Sequence, residues 1–251
     1  MNSPLDGGDN AEDRSSLAAT NVLKARVQAA VSRLDSAIEL SRLGRRGEAL
    51  DAINQAVQQY RQLADTRPDT YLPDLAMSLN NQAAMLSELG RREEALEAIS
   101  EAVQIRRTLA VAQPDTYLPD LASALNNQSN RLSELGRREE ALDAINQAVQ
   151  QYRQLADARP DTYLPDLASA LNNQSNRLSG LGRREEALEA ISEAVQIRRT
   201  LAVARPDTYL PDLAMSLNNQ AAMLSGLGRR EEALEAISEA VQIRRTLAVA
   251  L

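Results

Sequence analysis

Pro68-Asp69-Thr70-Tyr71-Leu72-Pro73-Asp74-Leu75-Ala76 decides the fold, because it recurs unchanged from Pro114, Pro160 and Pro206, a step of 46 residues each time. A constant period of this size, filled with helix-forming residues, is the mark of a helical solenoid. Each unit of such an array buries its apolar face against its neighbours, so function belongs to a repeated surface rather than to one catalytic pocket.

Outward from Pro68, the unit reads as two helices. The first runs from about Thr70 or Leu72 to Leu89, with Pro73 and Asp74 in its first turn. There a missing N–H is harmless and a negative charge is favourable. Gly90 ends it as a left-handed stop. The second runs from about Arg92 to Ala112, and Gln113-Pro114 closes it. The short links predict antiparallel pairs. Four units follow one another at 68–113, 114–159, 160–205 and 206–251. Residues 17–67 form an atypical first hairpin, with helices near 21–43 and 46–65, and read as a terminal cap. Residues 1–16 are polar and contain Gly and Asp, and read as a disordered tail. The expectation is an all-α chain of five hairpins. Asp74–Ala112 and Asp212–Ala250 differ only at Glu88 versus Gly226, as recent duplication or a designed chain would produce. The chain closes on Leu247-Ala-Val-Ala-Leu251 with no polar capping helix. That end reads as an edge that packs on something, or as a point where the array continued.

Composition narrows the chemistry. Of 251 residues, 43% are apolar, mostly Ala, Leu, Val and Ile, with no Phe or Trp, which suits closely packed helices. No Cys and no His are present. That excludes disulfides, thiolate and imidazole metal sites, Cys nucleophiles and a Ser-His-Asp triad. Lys24 is the single lysine, so no lysine base lies in the repeats. No cofactor is implied. The net charge of −7 argues against a nucleic-acid partner. Arg91-Arg92 and Arg106-Arg107 are balanced by Glu93, Glu94 and Glu97, as on a salt-bridged solvated face. There is no apolar run of membrane-spanning length, and Met1–Ser16 has no apolar signal core. The expected location is the cytoplasm, with no membrane partner.

With Gly90 as position 15, Leu79, Ala83 and Leu86 fall at positions 4, 8 and 11, and Ala95, Ile99 and Ala102 at positions 20, 24 and 27. This large-small-large-Gly-Ala-apolar-Ala pattern resembles the tetratricopeptide repeat across all four full units, and more weakly in the first hairpin. Leu79-Asn80-Asn81-Gln82-Ala83 and the helix ending Gln104-Ile105-Arg106-Arg107 resemble the long variant of kinesin light chains. They are also similar to bacterial arrays attached to regulatory ATPases or caspase-like proteases, although no ATPase or protease motif accompanies them here. The resemblance implies a right-handed superhelix whose first helices line a concave groove that binds extended peptides or partner helices. Two departures stand out. The unit is longer than the family's usual one, and position 7, usually apolar, is Gln82, Gln128, Gln174 and Gln220.

At about 100° per residue, positions 2, 5, 6, 9, 12 and 13 of the first helix share one face. In the third hairpin these are Ser123, Asn126, Asn127, Asn130, Ser133 and Glu134, with no apolar residue among them. Stacking turns the face into two ladders: Asn80, Asn126, Asn172 and Asn218, then Asn81, Asn127, Asn173 and Asn219. An amide offers both donor and acceptor and can pair with any peptide backbone. The same ladders could instead bond to each other and set register. Flanking positions vary: Met77, Ser123, Ser169, Met215; then Ala84, Asn130, Asn176, Ala222; then Met85, Arg131, Arg177, Met223. This suggests a ligand with a central carboxylate gripped by Arg131 and Arg177 and with apolar flanks, or arginines that pair locally with Glu134 and its neighbours. The Gln82 series, at the core edge, predicts a Gln–Gln or Gln–Asn ladder. In the second helices Tyr60 and Tyr152 alternate with Arg106, Arg198 and Arg244. That alternation reads as two packing solutions, and Tyr71, Tyr117, Tyr163 and Tyr209 as inter-repeat packing.

The function expected is a non-enzymatic scaffold that holds a peptide or protein segment. The alternatives are an array that self-assembles through its C-terminal edge as a homo-oligomer, or the sensor part of a larger regulatory protein. Paired acids such as Glu93-Glu94 and Glu139-Glu140 fit helix-dipole compensation better than acid–base catalysis.

Overall fold

The computed structural model describes the backbone of residues 9–249 and the side chains of residues 20–248. Ten helices and no strand occur among them: α1 Asp9–Arg42, α2 Arg46–Thr66, α3 Pro68–Glu88, α4 Arg92–Ala112, α5 Pro114–Glu134, α6 Arg138–Ala158, α7 Pro160–Gly180, α8 Arg184–Ala204, α9 Pro206–Gly226 and α10 Arg230–Val249. The chain is all-α, built of antiparallel helix hairpins at a constant period. It divides into two compact units, Met1–Ile105 and Arg106–Leu251. In the first, α1 packs on α2 and α2 on α3; in the second, each of α5 to α9 packs on the helix that follows it.

Helix starts differ from expectation in one respect. The first helix of each full unit begins at the first proline, Pro68, Pro114, Pro160 or Pro206, and not two to four residues later. Proline at the first helical position has φ already set and no N–H to waste. Pro73 therefore lies inside α3, where it removes only the bond to the Asp69 carbonyl near the helix start. In the first hairpin α1 begins at Asp9, so Asp9–Ser16 is helical and not a disordered tail. Acidic residues at a helix start are favoured by the dipole, which the compositional reading of that stretch did not weigh. The rest of the expected tail, residues 1–8, and the final residues 250–251 lie outside the described residues.

The stops behave as read. Gly90 takes φ +74°, and Gly90 N–H donates to Ser87 O and Arg91 N–H to Leu86 O, both at 2.9 Å. This paired closure satisfies the last carbonyls of α3, and its left-handed residue strains any side chain but glycine's.

The core is made by the repeating positions. Leu79, Leu125, Leu171 and Leu217 of the first helices and Ile99, Ile145 and Ile191 of the second are fully buried. Ala49, Ala95, Ala141 and Ala187 are each at 0% exposure, small enough to let helix axes approach closely. On the outer surface successive second helices are tied together by Arg61–Glu101, Arg153–Glu193 and Arg199–Glu239, each at 2.5 Å. Arg107 donates instead to Gln147 Oε1 at 2.7 Å, because Asn146-Gln147 stands where other copies carry Ser-Glu. These partly exposed contacts set alignment more than stability.

Candidate functional site

The polar face of the first helices is best defined in the second unit, where α5, α7 and α9 lie side by side. Asn173 Nδ2 donates to Asn126 Oδ1, and Asn219 Nδ2 to Asn172 Oδ1, both at 2.9 Å. Position 6 of each helix thus bonds to position 5 of the helix one repeat back. Position 5 is consequently drawn into the seam: Asn172 is buried at 7% exposure, while Asn126, Asn127, Asn173, Asn218 and Asn219 are half-buried. Asn176 is exposed and Asn130 half-buried. Each donated bond uses one of an asparagine's two amide protons, so Asn173 and Asn219 keep a second N–H and a carbonyl oxygen.

The two arginines have intramolecular partners. Arg177 Nη2 donates to Asn130 Oδ1 at 2.7 Å and its Nε to Ser129 Oγ at 3.2 Å, both on the preceding first helix. Burial pulls its guanidinium below the usual arginine value, with Glu134 partly offsetting this. Arg131 pairs along its own helix with Glu134 at 3.2 Å. At Arg177 position 10 thus reaches across the seam between helices, whereas at Arg131 it is paired along its own helix. Met85 likewise is buried at 6% exposure, whereas Met77 and Met215 at position 2 are exposed.

In the first unit Asn80 and Asn81 are half-buried on α3. Asn81, Ala84, Met85 and Glu88 line a shallow hollow with Ile38 and Ser41 of α1.

Beneath the polar face lie the residues that alternate on the second helices. Arg198, at 3% exposure, donates Nη1 to Asp212 O at 2.9 Å and to Ser216 Oγ, and Nη2 to Ser169 Oγ at 3.3 Å. It ties α8 to α7 and α9. Arg106 makes the same bond to Asp120 O at 3.0 Å. Burial lowers the pKa of both arginines, and Asp212 and Asp120 respectively oppose the shift. Tyr60 and Tyr152 fill the same place with a ring; burial, aided by Asp74, pushes the Tyr60 phenol up to about 12. Two packing solutions thus occupy one site. Tyr71, Tyr163 and Tyr209 are buried in the helix starts, and Arg159 and Arg205 stack on Tyr163 and Tyr209 at 4.9 and 5.1 Å.

A tetratricopeptide repeat family model matches residues 75–114, 167–205 and 213–248. Those three segments are tetratricopeptide repeats. A model of anaphase-promoting complex subunit 5 matches residues 15–72 and 120–164. No curated protein matches the chain. Among solved structures, a Podosopora anserina protein described as having kinesin light chain nearly identical TPR-like repeats is 19% identical, with TM-score 0.69, over 86% of this chain and 95% of that one. BtubC (BKLC) from P. vanneervenii is 17% identical, with TM-score 0.60, over 90% and 92%. MamA 41-end from Desulfovibrio magneticus RS-1 is 15% identical, with TM-score 0.56, over 87% and 96%. At these identities the likeness concerns the fold, a tetratricopeptide-like array of the kinesin light chain kind.

The tetratricopeptide signature residues occupy the places that the pattern requires: Leu79, Ala83, Leu86, Ala95, Ile99 and Ala102 are all buried. The departure at position 7 has a local cause. Gln82 Nε2 donates to Asn54 Oδ1 at 2.7 Å, Gln174 Nε2 to Asn146 Oδ1 at 2.8 Å, and Gln220 Nε2 to Ser192 Oγ at 3.0 Å. The expected Gln–Asn pairing thus holds for Gln82 and Gln174, with serine as acceptor for Gln220, and each of these glutamines reaches the preceding second helix rather than another glutamine. The Asn/Ser alternation of the second helices supplies the acceptor, a signal visible in the sequence only once the pairing is known.

The second acid of each expected pair, such as Glu94 and Glu140, is held by a neighbouring arginine. Arg45–Glu48, Arg91–Glu94, Arg137–Glu140, Arg183–Glu186 and Arg229–Glu232 form two-pronged pairs at the start of each second helix. The guanidinium holds each of these glutamates below the usual carboxylate range. Among the described residues no cluster of acidic groups could hold a metal, and no helix is long and apolar enough to cross a membrane.

Proposed function

We propose that this protein is a non-enzymatic interaction scaffold that holds an extended peptide segment against the asparagine rungs of its first helices. Arrays of this kind are protein-interaction architectures. The observation that carries the finer reading is the state of the rungs. Asn173 and Asn219 are locked by one bond each to the helix behind, and still have a donor and an acceptor to offer. A pre-oriented amide loses little freedom on binding, which favours affinity. The arginine grip on a ligand carboxylate is not part of this reading, because Arg131 and Arg177 already have partners within the chain. Selectivity falls instead to position 2, where Ser169 and Met215 are exposed beside the rungs.

The test is selection of short extended peptides from a displayed library, followed by affinity measurement on Asn173→Leu and Asn219→Leu. A binder that weakens at least tenfold in both, in variants that circular dichroism shows folded at the temperature of measurement, supports the reading. Selected peptides whose affinity ignores both substitutions would sink it.

A further inference from the structure

In the first unit, Leu23, Lys24, Val27 and Gln28 of α1 meet Arg67 and Tyr71 at the start of α3 around a pocket of about 390 Å3. The α1 side of this pocket departs from the repeat. At the 46-residue step Leu23, Lys24, Val27 and Gln28 stand where α3 has Asp69, Thr70, Pro73 and Asp74, and the later first helices keep that Asp, Thr, Pro and Asp. Two acids are thus replaced by an aliphatic side chain and an amide, and the single lysine of the chain is added. The departure turns an acidic helix start into a wall that is apolar and positively charged.

The polar groups around the pocket are uncommitted. In the second unit the corresponding arginine and tyrosine close on each other: Arg159 and Arg205 stack on Tyr163 and Tyr209, and Arg205 Nη2 donates to Tyr209 Oη at 3.0 Å. Arg67 and Tyr71 repeat that spacing. Among the described residues, however, the Arg67 side chain has no ring contact, ion pair or hydrogen bond, and the Tyr71 hydroxyl has no hydrogen bond. Tyr71 is buried at 8% exposure, so an unpartnered hydroxyl is held in the pocket wall. Lys24 has no acid partner among the described residues either. Lys24 and Arg67 are exposed, while Leu23 and Val27 are half-buried. Two cations therefore flank an aliphatic wall.

We propose that this pocket binds a small amphiphilic anion, an alkyl chain that ends in an oxyanion head. The head accepts from the Arg67 guanidinium, the Lys24 ammonium and the Tyr71 hydroxyl. A guanidinium offers an oxyanion two parallel N–H groups, and a phenol can donate as well as accept. The alkyl chain lies along Leu23 and Val27, where each methylene withdrawn from water adds to affinity. Both parts are needed. Exposed cations attract an anion only weakly through screening salt, and a pocket with one aliphatic wall holds a neutral chain poorly. None of these residues is an asparagine rung, so this reading and the peptide reading fail independently.

The probes are octanoate and monooctyl phosphate, titrated into the whole protein by calorimetry, with acetate and octylammonium as controls. Saturable one-to-one binding of at least one octyl anion is expected, and the tighter of the two names the head group. Acetate, which lacks the chain, and octylammonium, which has the wrong charge, should each bind roughly tenfold more weakly or not at all. Lys24→Gln and Arg67→Gln should each weaken the octyl anion roughly fivefold to tenfold, and added salt should weaken it further. Circular dichroism should show both variants folded, since both side chains are exposed. Arg205→Gln, which removes the arginine already closed on its tyrosine, should leave binding unchanged. Absence of saturable binding by both octyl anions overturns the proposal. So does binding that ignores both Lys24→Gln and Arg67→Gln, or octylammonium bound as tightly as octanoate, since the pocket then reads no charge.

Discussion

Arg177 donates to Asn130 across the seam between α7 and α5, at 2.7 Å, and to Ser129 at 3.2 Å, so that two of its five N–H groups are spent between repeats. A charged side chain that flanks the polar face is thus used to hold one repeat to the next. Arg131, one repeat earlier at the same position, pairs with Glu134 on its own helix. The two arginines share a register and have different duties.

That difference is measurable. Arg177→Ala should lower stability by roughly 1–2 kcal/mol, the worth of a charge-assisted bond between elements. Arg131→Ala should cost under about 0.5 kcal/mol, as for a single-turn surface pair. Urea denaturation of the two variants checks this, and equal losses would contradict it.

Ser78 Oγ is buried and has no hydrogen-bond partner, whereas the equivalent Ser216 accepts from Arg198. The reason is the residue beneath: Tyr60 stands under Ser78, where Arg198 stands under Ser216. Ser78→Ala should therefore be neutral or raise stability by up to about 1 kcal/mol, while Ser216→Ala should be destabilising. Thermal melts of both variants decide it.

The same residue type in the same helix sequence should tolerate truncation very differently. Ile191→Ala opens a cavity at a side chain with 0% exposure and should cost about 2–5 kcal/mol. Ile237→Ala, at the same place in α10 and 37% exposed, should cost less than half as much. Chemical denaturation of each variant separates the two, and equal costs would contradict it.

Glu140 and Glu232, held by Arg137 and Arg229, should titrate below the usual carboxylate range in carbon-13 NMR, and Arg137→Gln should return Glu140 to it. The sign follows from the lowered folded value. The pairs stabilise the fold above the unfolded glutamate pKa, and the contribution is lost as pH falls through the folded one. Asp74, half-buried on α3, behaves oppositely. Burial raises its pKa, so its ionised form opposes folding, and Asp74→Asn should be neutral or stabilising at pH 7. Added salt should weaken the exposed glutamate pairs.

Much of the candidate site was legible as placement and little of it as bonding. The helical wheel put Asn126, Asn172 and Asn219 on one face, and they lie there. It had no way to show that Asn219 reaches Asn172 one repeat back, or that Arg177 reaches Asn130, because both depend on the distance between helices that are 46 residues apart in sequence. The Gln82 series shows the same limit. Its position at the core edge was readable, and its partner, Asn54 on the second helix of the preceding repeat, was not.

By itself the sequence determined the helices, their stops and the residues that face the core. A proline at the first turn, a glycine with φ near +74° and a recurring Leu-Ala-Leu pattern act within one hairpin, and the 46-residue period repeats them. Only the tertiary structure decided which amides and guanidiniums are spent between repeats, and that identical helices such as α8 and α10 differ in exposure. Burial is a property of what lies alongside a helix: among the described residues α8 packs on both α7 and α9, and α10 on α9.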